Sequence, residues 1–228
     1  DASTKLLFND GRTITGKSLL TLEATTGSIV SGGHLTLNAG TGLIILESLH
    51  TSTSAKALVV NADFESAGDG TLTLVSTKTI SSNDSNVVLT AWDIDMSGSL
   101  TAGTKPLSVH GAIANQTIGL GNTAANMHIT DAELNLLSTV PRVVIGDSSN
   151  GSIFIDGVTD ASSDDFGRLI LKANKASRTV QFMGNPSMFN KGITIQTTAG
   201  VVLSESVTTK NTDTFMSAGT GTLTIAVT

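Results

Sequence analysis

The sequence predicts an all-β chain coiled as a parallel β-helix (β-solenoid), with roughly 20 residues per coil. Three observations predict it. One strand-plus-turn phrase recurs irregularly along the chain. Apolar residues inside the phrase alternate with polar ones, as in Trp92-Asp93-Ile94-Asp95-Met96, which puts Trp92, Ile94 and Met96 on one side and both Asp on the other. The gaps between phrases lack amphipathic helical periodicity. Strands of a doubly wound sheet would instead read as continuous apolar runs, joined by crossovers of about a dozen residues or more. A solenoid meets both conditions, because each coil returns through further short strands with one side inward and the other in water.

In chain order the phrase reads Leu20-Thr21-Leu22-Glu23-Ala24, Leu35-Thr36-Leu37-Asn38-Ala39, Leu58-Val59-Val60-Asn61-Ala62, Leu72-Thr73-Leu74, Val87-Val88-Leu89-Thr90-Ala91 and Leu107-Ser108-Val109. Each is a strand by its β-branched and Leu-rich alternation. Asp10-Gly11, Asp69-Gly70 and Asn150-Gly151 are turn signals. The last lies between Val143-Val144-Ile145 and Ile153-Phe154-Ile155. Because the whole stretch from Gly146 to Ser152 separates those runs, it suits a solenoid corner as well as a hairpin loop. Thr130 to Leu137 has an N-cap candidate followed by good helix formers. It reads either as one helical turn or as a strand with Leu134 and Leu136 as its apolar residues. We take it as an irregular turn, an insertion at 130–141 between two runs of coils in a single solenoid over 1–228. At about 20 residues per coil the chain makes roughly 11 coils, and at about 4.8 Å per rung the rod is on the order of 50 Å long.

Composition fits this core. Aromatics are 4% and Tyr is absent, so stacked layers of Val, Ile and Leu must do the packing. There are 23 Gly to serve the corners and only three Pro, at 106, 141 and 186. The net charge is −6, with 13 Lys and Arg spread thinly and no aromatic–basic interleaving, which disfavours nucleic-acid binding. Apolar runs such as Leu43 to Leu46 are too short to cross a bilayer, so no membrane insertion is expected. Asp1 reads as a mature or trimmed start. The lack of Cys fits a secreted bacterial-type surface protein, and equally many cytosolic chains.

The stretch Thr117 to Val158 carries a more specific likeness. Ile118-Gly119-Leu120-Gly121, Ile129-Thr130-Asp131-Ala132-Glu133-Leu134 and Val144-Ile145-Gly146-Asp147-Ser148-Ser149-Asn150-Gly151-Ser152-Ile153 resemble a module of the filamentous-haemagglutinin-like giant secreted adhesins. Leu169-Ile170-Leu171-Lys172-Ala173, Ile193-Thr194-Ile195 and Gly221-Thr222-Leu223-Thr224-Ile225 resemble the same family's strand units. The resemblance implies a right-handed parallel β-helix in an extracellular adhesin or fibre. It brings no catalytic residues with it.

Each candidate chemistry has a plainer counterpart. Asp93 and Asp95 share one strand side, and Asp164 and Asp165 share a loop with Asp160 nearby. Such carboxylates could bind Ca²⁺, which takes about six to eight oxygens, but a solvated acidic surface is the plainer reading. Lys78, Lys105, Arg142, Arg168 and Arg178 could serve a polysaccharide lyase as proton-abstracting or charge-neutralising groups. In sequence they are scattered, so surface solubility is the plainer role. His34, His50, His110 and His128 show no metal-type pairing. No Gly-x-Ser-x-Gly elbow is present, and Gly119-Leu120-Gly121 lacks the third Gly and the helix of a dinucleotide site. Thr13-Ile14-Thr15, Thr71-Leu72-Thr73 and Thr222-Leu223-Thr224 raise an ice-binding reading, although three separated copies do not make a continuous rank. Asn83, Asn115 and Asn150 begin N-glycosylation sequons, informative only in a eukaryotic source.

The function expected is that of a non-enzymatic extracellular structural or adhesive module without a cofactor. Its partners are itself or neighbouring repeat modules, stacked end to end into a fibre or longer rod, together with surface glycans. A polysaccharide-active or carbohydrate-binding β-helix is the alternative, and ice binding a lesser one.

Overall fold

The computed structural model describes residues 4–226 of the 228-residue chain. The strands wind as a β-solenoid of about ten turns, and every pairing among the described strands is parallel, nearly always with a strand of the coil above or below. Three faces recur in order around each coil. The first comprises Leu6–Phe8, Ile29–Ser31, Leu49–Thr51, Thr79–Ser81, Ser99–Thr101 and the start of Leu137–Ile145. The second comprises Arg12–Gly16, Leu35–Ala39, Leu58–Asn61, Val87–Ala91, Leu107–Gly111, the end of Leu137–Ile145, Phe166–Ala173, Ile193–Thr197 and Phe215–Ser217. The third begins with Leu19–Leu22, Gly42–Ile45, Thr71–Leu74 and Asp93–Met96, and later holds Ile118–Gly121, Ile153–Asp156, Val180–Phe182, Gly200–Leu203 and Thr222–Ile225. In the last two coils Ser187–Lys191 and Val207–Asn211 take the place of first-face strands in chain order and pair with each other.

The alternation seen in the sequence becomes columns of like residues. Leu37, Val60, Leu89, Val109, Ile145, Leu171 and Ile195 stack in register inside the second face, all fully buried. Ile29, Leu49, Ile80, Leu100 and Leu137 do so inside the first. Near the C-terminal end Phe182 and Phe189 meet edge to face, with ring centroids 6.5 Å apart. Val143–Ile145 and Ile153–Ile155 lie on different faces and do not pair, so Gly146 to Ser152 is a solenoid corner and not a hairpin loop.

Coil length is less regular than the expected 20 residues. Second-face register partners are 23 positions apart from Leu35 to Leu58, 29 from Leu58 to Val87, 20 from Val87 to Leu107 and 36 from Leu107 to Val143. The average is roughly 23 per turn, which makes about ten turns where 11 were expected. The longest coil holds an extra strand. After Ile118–Gly121 the chain doubles back and lays Met127–Ile129 parallel beside it, Ile118 opposite Met127. Gly119 makes this possible, since a Cβ there would sit 2.0 Å from the Thr123 carbonyl oxygen of the returning segment. Gly121 supplies the positive φ (79°) of the turn. A close chain crossing is therefore what Gly119-Leu120-Gly121 accommodates.

A helical turn, Asp131–Leu134, follows, closed by a capping box between Thr130 and Glu133. The next strand, Leu137–Ile145, then starts within the segment read from sequence as irregular. Its register shifts between Thr139 and Arg142, at Pro141, so that one strand serves the first face and then the second. Trp92 also departs from expectation. Ile94 and Met96 point into the core, whereas Trp92 precedes their strand, is half-buried at a corner and packs over Gly68.

Corners are closed by two recurring devices. In the first, a buried hydroxyl bridges a turn. Ser31 Oγ donates to the Gly33 carbonyl at 2.7 Å and accepts from Gly33 N, as Ser82 does with Ser85 and Thr197 with Gly200. In the second, an Asp reaches the next coil and accepts the backbone N–H that follows a Gly. The pairs are Asp10 with His34 N (2.7 Å), Asp84 with Thr104 N (2.7 Å) and Asp156 with Asn185 N (2.9 Å). A Cβ on Gly33, Gly103 or Gly184 would fall 2.2 Å from the clasping carboxylate. Several of the chain's acids thus hold coil to coil.

Candidate functional site on the second face

Outward side chains of the second face form two ranks along the rod. One runs Thr13, Thr36, Val59, Val88, Ser108, Val144, Ile170, Thr194 and exposed Phe215, and the other Thr15, Asn38, Asn61, Thr90 and His110. Farther along, Lys172 and Gln196 are opposed in the same outward sense. A shallow groove of about 370 Å³ lies across this face, lined among others by Ser108, His110, Val144, Asp147 and Lys172. His110 Nδ1 is 3.3 Å from the carbonyl of Gly111, which must accept from it, and 3.9 Å from Asp147 Oδ2. His110 Nε2 is 3.3 Å from Thr90 Oγ1. Thr90, His110 and Asp147 thus fall in a hydroxyl–imidazole–carboxylate order. However, the Asp147 contact is beyond hydrogen-bond distance, and Asp147 Oδ1 already accepts from Ser149 N, Ser149 Oγ and Asn150 N. The arrangement offers hydrogen-bond and charge contacts to a ligand lying on the surface.

Of the basic residues that looked scattered in sequence, two come together. Arg142 and Arg168 are register partners on adjacent strands. Lys78 is instead paired with Glu47, Arg178 Nη2 donates to Asn115 Oδ1 at 2.7 Å, and Lys105 lines a separate hollow with His34 and Asn86. The stacking of Arg142 on Arg168 corrects the scattered reading for these two. It was invisible in sequence because 26 residues, more than one average coil, separate them.

The carboxylates singled out for Ca²⁺ divide between two places. Asp93 lies where the third face is interrupted, between Asp93–Met96 and the extra strand Met127–Ile129. There its Oδ1 accepts the N–H of His128 at 2.9 Å, while Glu133 Oε1 accepts that of Met96 at 3.1 Å. Two side chains thus stand in for ladder bonds. Asp95 points outward on the same strand. Asp164 accepts from Asn190 Nδ2, and the Asp165 carbonyl accepts from Thr139 N. Among the described residues no three His, Asp or Glu side chains converge as a metal site. His34 and His50 are exposed, and His128 Nε2 donates to the Gly121 carbonyl at 2.8 Å.

Asn83 and Asn115 occupy exposed corners with positive φ. Asn150 is fully buried, its amide bonded to both N and O of Gly111, and so is closed to modification in the folded chain. Sequence reasoning missed this buried polar set. Gln116, also buried, accepts from Ala112 N and Ile113 N and donates to the carbonyls of Ala91 and Trp92, tying two coils together. An isolated Gln between Asn115 and Thr117 carries no signal of such a role.

Three carboxylates, exposed Asp10 and half-buried Asp84 and Asp160, are held below the ordinary aspartate value. Asp10 is lowered by Lys56 Nζ and by the His34 N–H, Asp84 by the Thr104 N–H and Asp160 by Lys210, whose own pKa is raised in return. All are corner contacts away from the groove. No protein-family model, curated protein or solved structure matches the chain.

Proposed function

We propose that this chain is a non-enzymatic structural and adhesive β-solenoid module of an extracellular protein, akin to the filamentous-haemagglutinin-like adhesins, and that its coils continue end to end into a longer rod or fibre. The observation that carries the reading is the last described coil. There Phe215, Leu223 and Ile225 are exposed, and Leu203, Val207, Met216 and Ile225 line an open hollow of about 550 Å³. The outer edges of its strands have ladder groups to offer another coil. Charge supports the match. Among its described residues the first coil carries Lys5, Arg12 and Lys17, against which stands Glu23, while its Asp10 is taken by Lys56. The last carries Glu205 and Asp213, while its Lys210 is taken by Asp160. A following coil, from a neighbouring module or another copy, would bury the apolar hollow and oppose unlike charges.

Sedimentation of the purified chain across a wide concentration range tests this. Growth of rods, abolished by Ile225→Asp, is the expected result. A strict monomer at every concentration refutes stacking between copies of this chain.

The glycan-active alternative draws on the second-face groove, where His110, Asp147 and Lys172 converge. Release of unsaturated products from acidic polysaccharides would establish it. The ice-binding alternative loses its support. Thr13 and Thr15 lie on the second face, and Thr71, Thr73, Thr222 and Thr224 on the third, the last two in its final described strand.

A further inference from the structure

We propose that the second face is a binding surface for an acidic polysaccharide, with Arg142, Arg168 and Lys172 as its charge contacts. The inference rests on the adhesive reading and names the face and the ligand class that reading leaves open. Three observations carry it.

The first is the distribution of charge. The chain has 19 Asp and Glu against 13 Lys and Arg, yet no strand of the second face contains an acid. The charged residues of those strands are Arg12 in the first coil and then Arg142, Arg168 and Lys172. Strand acids fall on the third face, at Asp93, Asp95 and Asp156, and the other acids among the described residues sit at corners, loops and the helical turn. Asp147, at the corner beside the groove that Lys172 lines, already accepts three hydrogen bonds on Oδ1 from Ser149 and Asn150.

The second is that the two arginines are opposed and that no basic residue of the group is held in an ion pair. Arg142 and Arg168 are directly opposed on adjacent parallel strands, whose backbones lie about 4.8 Å apart. Like charges so opposed repel. Among the described residues, Arg142, Arg168 and Lys172 form no ion pair. Arg168 is steadied by a neutral group, with Nη1 donating to Thr194 Oγ1 at 3.3 Å. Lys172 projects to the same side as Arg168, four residues along the strand, or about 13 Å away. A ligand with several negative charges would relieve this repulsion, and the Arg forks suit planar carboxylates.

The third is what surrounds the charges. Ser108, His110, Thr194 and Gln196 offer hydroxyl, imidazole and amide groups to sugar hydroxyls. Half-buried Val144 and Ile170 form a flat apolar strip between them. The outward aromatic ring nearest the basic group is exposed Phe215, opposite Thr194, and a sugar ring can lie on it. With no second outward Phe or Trp on the described second-face strands there is no row of platforms for successive bases, which favours a glycan over a single-stranded nucleic acid.

The test is retardation of the folded chain in native gels containing polygalacturonate, with dextran and a single-stranded oligonucleotide as parallel arms. The wild-type chain should be retarded by polygalacturonate alone, and added salt should weaken the effect. Arg142→Ala/Arg168→Ala should weaken binding by at least about tenfold, with Lys172→Ala a smaller loss. The double variant should melt no lower than wild type, because a repulsive pair has been removed. A purely structural Arg pair would lower it. Absence of retardation, equal retardation by the oligonucleotide, or unchanged binding by the double variant each overturns the proposal. Rod growth is read separately by sedimentation, so failure of stacking and failure of glycan binding are distinguishable.

Discussion

Replacing Leu171 by Ala tests the assignment of inside and outside on the second face. Leu171 is fully buried, stacked between Ile145 and Ile195, whereas its neighbour Ile170 is half-buried and points outward between Val144 and Thr194. Truncating Leu to Ala removes an isopropyl group. At about 0.8 kcal/mol per buried carbon this costs about 2.4 kcal/mol in transfer alone. The cavity left between two branched neighbours that cannot collapse onto each other raises the loss to about 3–4 kcal/mol. For a chain of this size each kcal/mol lowers the melting temperature by roughly 2–4 °C, so Leu171→Ala should melt roughly 6–16 °C below wild type. Ile170→Ala gives up half-exposed surface and should cost about 1 kcal/mol or less. The assay is thermal unfolding followed by circular dichroism, with amide exchange to locate the damage. Because each coil touches only its neighbours, lost protection should centre on Ile145, Leu171 and Ile195. Equal losses from the two variants, or a larger one from Ile170→Ala, would mean the strand is out of register by one residue and would refute the columnar core.

Other expectations follow from the corners. Gln116→Leu strips four backbone groups of a side-chain partner and should destabilise by about 3 kcal/mol in urea unfolding, although the substitution is more apolar. Gly184→Ala forces a Cβ against the Asp156 carboxylate at a residue with φ of 73°, and should melt lower than wild type. Pairing it with Asp156→Ala should recover part of the loss by removing the clash. Asp84 contributes through a pKa depressed by the Thr104 N–H, so its stabilisation is present above its ordinary value of 3.8 and is lost as pH falls through the lower folded value. Asp84→Asn should therefore melt below wild type near neutral pH, and the gap should close under acid titration. A gap that stays constant with pH would show that the charge plays no part.

Much of the architecture was legible because a strand side chain has only two directions to take. Alternation in Val87-Val88-Leu89-Thr90-Ala91 shows which residues face the core, and the lack of helical periodicity between phrases excludes crossover helices. Corner chemistry was only partly legible. Gly and Ser clusters marked the turns, but nothing local distinguishes Asp84, which clasps the next coil, from Asp95, which meets solvent. The extra strand Met127–Ile129 was hidden as well. Its pairing partner lies only nine positions back, a spacing that sequence reasoning reserves for antiparallel hairpins.

The sequence by itself determined that the strands are one-sided and that their apolar sides must bury one another, because only stacking removes that surface from water. The tertiary structure alone decided which residues share a face. Coil lengths from 20 to 36 residues slide each strand by a different amount along the chain, so no fixed period predicts its neighbours. Arg142 stacks on Arg168, and Asp93 caps an interrupted ladder, because of how many residues each corner consumes. That number is set by buried hydroxyls, clasping carboxylates and an inserted strand, and every one of them acts between coils.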